Sequence, residues 1–327
     1  MWRYAGPFLF LAAIPALYYD VGPAAPLLSV AALLAALTGA ELVAPRGDVE
    51  GRGDPRGFRA MVLAYIPAQV AVTAWALWLS PQAGAWGFWA LAFSLGVTTG
   101  VFGMLAAHEA VHSGDRREGL LGAVMLTAMS YRHFRIAHLH GHHRWAGTAR
   151  DSATARLGEG FYAFLLRTVA GQVLEAWRFE QQRTGWRRNR VLGDVAVMAV
   201  VIGGLWAGVG PRAAAFFLIQ SAVAITVLEL FTYIAHYGLA RRADGAGGLE
   251  RFSDRHSWNS SNVLANALIF NMGRHSFHHH SPAAPYQDLR TEAAPELPLG
   301  YAGSILLALV PPLWRRTMDP RARAWAA

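Results

Sequence analysis

The chain has 327 residues, 54% of them hydrophobic and only 15% charged, with a formal net charge of +8. A soluble domain carries about 25% charged residues, so this balance points to a protein embedded in a membrane. With no cysteine, the chain has no disulfide, no thiolate metal ligand and no cysteine-held iron–sulfur cluster.

In chain order, apolar runs near the roughly 20 residues of a bilayer crossing predict six spans, at about 4–20, 25–44, 59–80, 86–112, 191–209 and 213–237. The first lies within MWRYAGPFLFLAAIPALYYD. No small-x-small cleavage pattern follows it, so it reads as a retained span rather than a signal peptide. Short connections follow the first, third and fifth spans: DVGPAAP, SPQAGAW and a turn around Gly210, Pro211 and Arg212. The other connections are basic, with Arg46, Arg52 and Arg56 in 45–58, thirteen arginines in 113–190, and Arg241 and Arg242 after the last span. By the positive-inside rule, both termini and all large loops should be cytoplasmic, in a multi-pass protein of the inner (plasma) membrane. The basic residues, all arginine, flank apolar spans, so the charge speaks for topology and not for nucleic acid.

The expected fold is therefore an all-α integral membrane protein with six transmembrane helices and a cytoplasmic histidine-rich cap. It reads as one domain over 1–327, with histidine-bearing segments 113–190 and 238–290. Gly96, Gly100 and Gly103 in the fourth span predict close helix packing. EGLLGAVMLTAMSYRHF is too short to cross and is expected at the interface. GFYAFLLRTVAGQVLEAWRFEQQR reads as an amphipathic helix on the cytoplasmic membrane face.

Seven of the thirteen histidines lie between 108 and 143, four between 275 and 280, and none in the first 107 residues. His108 and His112, in HEAVH, are spaced i,i+4 and share a helical face. In AHLHGHHR, His138 and His142 repeat that spacing, with His143 one residue further round. In RHSFHHHSP, His275, His278 and His279 stand at i, i+3 and i+4. His236 in TYIAHYG ends the sixth span. By the predicted topology, all four elements meet at one membrane face. HEAVH alone spells the HExxH zinc-protease motif, with the glutamate as general base. Nine imidazoles are too many for one zinc, which uses three protein ligands and an open position in catalytic sites. They can supply two metals with four or five nitrogens each, and such donors suit iron, copper, zinc or nickel. His133, His140, His256 and His280 are weaker ligand candidates. Histidine ligands commonly donate their second N–H to a carboxylate. Glu229, seven residues before His236, and Glu109 and Asp151 are candidates for that supporting role, as are His140 and His280 beside the ligands; Glu41 is a weaker one.

The boxes HEAVH, HLHGHH and HSFHH resemble the three histidine boxes of the membrane fatty-acid desaturase and hydroxylase superfamily. The longer strings TYIAHYGL, MGRHSFHHHSP, RDSATARLGEGFYAFLLRTVAGQVLEAW and SWNSSNVLANALIFNMGRHS are similar to its integral-membrane alkane hydroxylase (alkane 1-monooxygenase) branch. The resemblance implies a non-haem diiron centre held by His108, His112, His138, His142, His143, His236, His275, His278 and His279. It further implies cleavage of O2, insertion of one oxygen atom into an unactivated C–H bond of a lipophilic substrate, usually at a terminal methyl, and electrons from a rubredoxin and its reductase. The chain departs from the family pattern at Ala137 and Ala235, where glutamates are expected, at Phe277 for aspartate, and at Thr232 for the first residue of the lone-histidine box. A fatty-acyl desaturase or hydroxylase of the same superfamily, an intramembrane HExxH zinc protease and a metal transporter are the competing expectations.

Overall fold

Helix α1 (Gly6–Asp20) begins with a proline in its first turn, where the missing N–H costs nothing. The apolar helix α2 (Leu27–Val43) follows. Helix α3 (Pro55–Leu79) starts four residues before the predicted span, because Asp54 caps it by accepting the Arg56 N–H and Pro55 takes the first position. The structure, a computed structural model, describes residues 2–48, 53–244, 248–291 and 293–326. Arg52 of the first basic loop lies outside them.

The centre of the fold is α4 (Ala85–His112), which is buried along nearly its whole length. Its helical hydrogen bonding is interrupted by a π-helical turn at Thr99–Gly103. Its glycine stripe presses on α9 (Pro211–His236). A Cβ on Gly96 would stand 2.6 Å from that of Val223, and one on Gly100 would stand 2.5 Å from the Ala224 carbonyl oxygen. Small residues thus set the helix–helix distance, as expected for packing within lipid.

Helix α5 (Arg116–Ala128), capped by Asp115, runs back along α4 and α3. The chain then returns as α6, an irregular helix made of Phe134–Ile136, the π-helical turn Ala137–His142 and His143–Trp145. Helix α7 (Phe161–Thr184) buries Phe161, Phe164, Thr168, Gln172, Ala176 and Glu180, a stripe at helical spacing that matches the expected amphipathic helix. Helix α8 (Arg190–Gly208), capped by Asn189, packs on α9 and α7 but is almost nowhere buried.

Four helices, α3, α4, α8 and α9, are long and apolar enough to cross a membrane. Helices α1 and α2 form where spans were expected, but their 15 and 17 residues fall short of the roughly 20 of a crossing. Of the six expected spans, four coincide with helices of crossing length, and the other two positions hold the shorter α1 and α2. Among the described residues there is no strand, only isolated bridges.

After α9 the polar residues of SWNSSNVLANALIFNMGRHS lock the last histidine box in place. Asn262 caps α10 (Val263–Leu268) and donates to the Ala40 and Ala44 carbonyls at the end of α2. Asn259 accepts the Ser276 N–H and donates to Ser276 Oγ, holding the first turn of α11 (His275–His280). Helices α12 (Gly300–Ala308) and α13 (Pro311–Ala326) follow, with α12 against α2 and α9.

Candidate metal centre

The ends of α4 and α9, with α6 and α11, bring the nine predicted histidines into two groups. His108, His112, His138, His143 and His278 form one, and His142, His236, His275 and His279 the other. Within each group the potential ligand atoms lie within 4.8 Å of one another. The boxes therefore do not map one to a metal, because α6 and α11 each feed both groups.

The π turn explains the split in α6. In an α-helix, His138 and His142 would share a face. A π-helical turn advances the pattern to i,i+5, so His138 and His143 face together, with Nε2 atoms 3.0 Å apart, and His142 swings to the second group.

Each group fits a cation on its own geometry. The Nε2 atoms of His112, His138 and His143 form a triangle with edges of 3.0–3.1 Å, and His143 and His278 approach to 3.2 Å. In the second group, His275 Nε2 lies 3.1 Å from that of His236 and 3.2 Å from that of His279. Three rings pointing at one centre cannot all satisfy linear N–H···N bonds. For metal–nitrogen bonds of about 2.1 Å, ligands about 90–100° apart stand about 3.0–3.2 Å from one another. His108 is buried with neither ring nitrogen hydrogen-bonded, a cost of about 1–3 kcal/mol that a cation would remove.

Burial, reinforced by neighbouring imidazoles, holds His138, His275, His278 and His279 well below the usual histidine range and brings His143 down to about 2. These rings are neutral at pH 7, the form that ligates. His142 differs. Burial alone would lower it, but the Asp151 carboxylate overrides this and leaves it raised.

Of the residues expected to support the ligands, Asp151 touches one. It is buried, accepts from His142 Nδ1 at 2.8 Å, and is itself fixed by the Thr154 hydroxyl and the Ala153 N–H. Glu109 instead accepts from Arg59 of α3, which also binds Glu118 of α5. Glu229 accepts from Tyr131, Thr168 and Gln172 and hydrogen-bonds none of the nine imidazoles. His140 stacks on Phe179 at 4.2 Å, and His280 pairs with Asp254. Glu41 accepts from Ser260, far along the chain. His133 stacks edge-on against Tyr131. His256 stays outside both groups, yet its carbonyl accepts from His236 Nδ1 at 3.1 Å. That main-chain role carries no signal in the sequence.

An apolar cavity enclosing about 710 Å³ of empty space, its open end included, lies between α4 and α9. Val101, Met104, Leu105, Leu228 and Phe231 form its walls, and two family departures, Thr232 and Ala235, line it as well. His108 and His138 of one group and His142 and His275 of the other line it too. Gln172, on the buried stripe of α7, is a polar lining residue that spacing alone did not mark.

Comparison with known proteins agrees with this geometry. Residues 84–305 match the family model for fatty acid desaturase. The chain is 37% identical to alkane 1-monooxygenase 1 of Pseudomonas aeruginosa, over 82% of this chain and 73% of the relative. It is 34% identical to an alkane 1-monooxygenase of Pseudomonas putida, over 97% and 79% respectively. A more distant relative, 29% identical over 71% of the chain and 64% of the relative, is the hydroxylase component of a xylene/toluene monooxygenase from Pseudomonas putida. The chain is an enzyme that belongs to the integral-membrane alkane hydroxylase (alkane 1-monooxygenase) family, within the membrane fatty-acid desaturase and hydroxylase superfamily.

Proposed function

We propose that the protein hydroxylates an unactivated C–H bond, at a terminal methyl, of an alkane or similar lipophilic substrate drawn from the bilayer. The observation that carries this reading is the apolar cavity lined by imidazoles from both histidine groups. His108, His112, His138, His143 and His278 would hold one iron, and His142, His236, His275 and His279 the other. Bound there, the iron pair would supply the activation of O2 that puts one oxygen atom into the substrate and releases the other as water, with two electrons from a rubredoxin and its reductase.

The chain's own residues do the rest. An alkane offers no polar handle, so binding rests on apolar burial, at about 0.8 kcal/mol per methylene. Val101, Met104, Leu105, Leu228 and Phe231 provide that apolar surface. Asp151 and the His256 carbonyl each accept a hydrogen bond from the Nδ1–H of a histidine, turning the Nε2 lone pairs of His142 and His236 toward their group. The topology that fits this role is six membrane passes of one domain in the inner membrane, with both termini and the histidines on the cytoplasmic side, where a soluble electron donor reaches them.

A zinc protease would need Glu109 free to activate water. Its carboxylate is instead tied to Arg59 and does not line the cavity. Turnover of an alkane under 18O-labelled dioxygen tests the reading against desaturation. A product alcohol carrying one labelled oxygen supports it, whereas an alkene with the label only in water contradicts it.

A further inference from the structure

A second crevice opens where α4 ends and meets α5, the start of α6 and the first turns of α8. Its empty volume, mouth included, is about 1520 Å³. Leu120, Ala123 and Leu126 of α5 and Val197 of α8 give it apolar walls. Arg116, Arg132, Arg135 and Arg190 stand around it with only two acids, Asp115 and Asp194.

Both acids are already engaged. Asp115 accepts the N–H groups of Arg117 and Glu118 at the start of α5, and Asp194 accepts from Arg132 Nε at 2.8 Å, a bond that ties α8 to the turn before α6. Arg190 donates its main-chain N–H to Glu180, but its guanidinium has only a long contact to that carboxylate, at 3.8 Å. Arg116 and Arg135 make no ion pair among the described residues. Three exposed guanidinium groups are thus left facing a cleft with apolar walls.

The position of these groups matters as much as their charge. Arg116 follows the end of α4, and Arg190 opens α8, so both mark the boundary where crossing helices end. Val197 lies two turns further along α8, whose Val195 and Val200 are exposed on its surface. Lipid chains therefore border the crevice on that side. A soluble anion would leave the apolar walls unused, and a zwitterionic lipid would leave the three cations uncompensated. Basic pockets between membrane helices on the cytoplasmic side suit anionic head groups.

We propose that this crevice binds one anionic phospholipid, its phosphate among Arg116, Arg135 and Arg190 and an acyl chain along Leu120 and Val197. The occupant braces α8, which the protein itself scarcely covers, against α5.

The test uses the full chain purified in detergent, followed by native mass spectrometry and by thermal melting with added phosphatidylglycerol, phosphatidylcholine or inorganic phosphate. One retained phosphatidylglycerol and a rise in Tm with that lipid alone are expected. Combining Arg135→Gln with Arg190→Gln should weaken phosphatidylglycerol binding on the order of thirtyfold, the change expected for two interfacial arginines. Arg132 is left intact because it pairs with Asp194. Val197→Trp, on an exposed face, should lower binding with every charge kept. Equal shifts from both lipids, a shift reproduced by phosphate alone, or undiminished lipid retention by the variants would overturn the proposal.

Discussion

The two histidine groups are built by different means. In the second group, two rings are fixed from behind by hydrogen bonds, His142 to the Asp151 carboxylate and His236 to the His256 carbonyl. In the first, His108 has no hydrogen bond at either ring nitrogen, and His138 is held by the face of Phe134, stacked at 4.6 Å. Polar partners aim two rings of the second group, where His279 also stacks on Phe252 at 4.6 Å, whereas backbone geometry and ring packing alone set the first. The lesson is that a symmetric list of histidines conceals two sites of unequal rigidity, which should respond differently to the same kind of damage.

The largest effects come from removing a ligand. His236→Ala cuts the second group from four imidazoles to three and should empty it, leaving about half the metal. His138→Ala leaves the first group four imidazoles and should weaken its metal without emptying it. Activity should fall by more than the roughly 10–100-fold that losing an outer partner costs. If His236→Ala keeps its full metal load, the partition into five and four is wrong.

Next comes Asp151→Asn. It preserves shape but removes the charge that orients His142, so metal affinity should drop about 10–100-fold in the second group only. Metal titration of the variant should show one tight and one weakened site. Two equally weakened sites would erase the distinction between the groups.

Acid should act on the metal-free protein through the same residues. His138, His143, His275, His278 and His279 are lowered by burial. Their neutral forms contribute stability above the unfolded value of about 6.5, and it is lost as pH falls below that value while the unfolded chain takes up protons. Tm should fall by roughly 5 °C or more per pH unit between pH 6.5 and 5. His142 runs the other way, because its raised value adds stability at low pH that fades as pH rises through it. Asp151→Asn should therefore steepen the acid loss, and a melting series in both proteins checks the sign.

The smallest effect belongs to Phe134→Leu. Losing the stacked ring should cost about 1 kcal/mol, felt in the first group alone. A comparable loss at the second group would mean that the two groups are not aimed independently.

Much of this was legible in the sequence because hydropathy and histidine clustering are local signals. The four crossing-length helices begin and end within about four residues of the expected spans, the shift at α3 coming from the Asp54 cap and Pro55. The convergence of four histidine elements followed from placing them at one membrane face. Their division did not, because no letter of AHLHGHHR announces a π turn, and an ordinary helix assigns His138 and His142 to one face. Nor did the text show that Glu109 would meet Arg59, fifty residues earlier, or that Gln172 would reach the cavity. Such contacts depend on how helices are packed, which composition and spacing do not encode.

Elemental analysis of the purified full chain tests the central claim most directly. Two irons per chain, falling to about one in His236→Ala, is the predicted result; one zinc and no iron would contradict it.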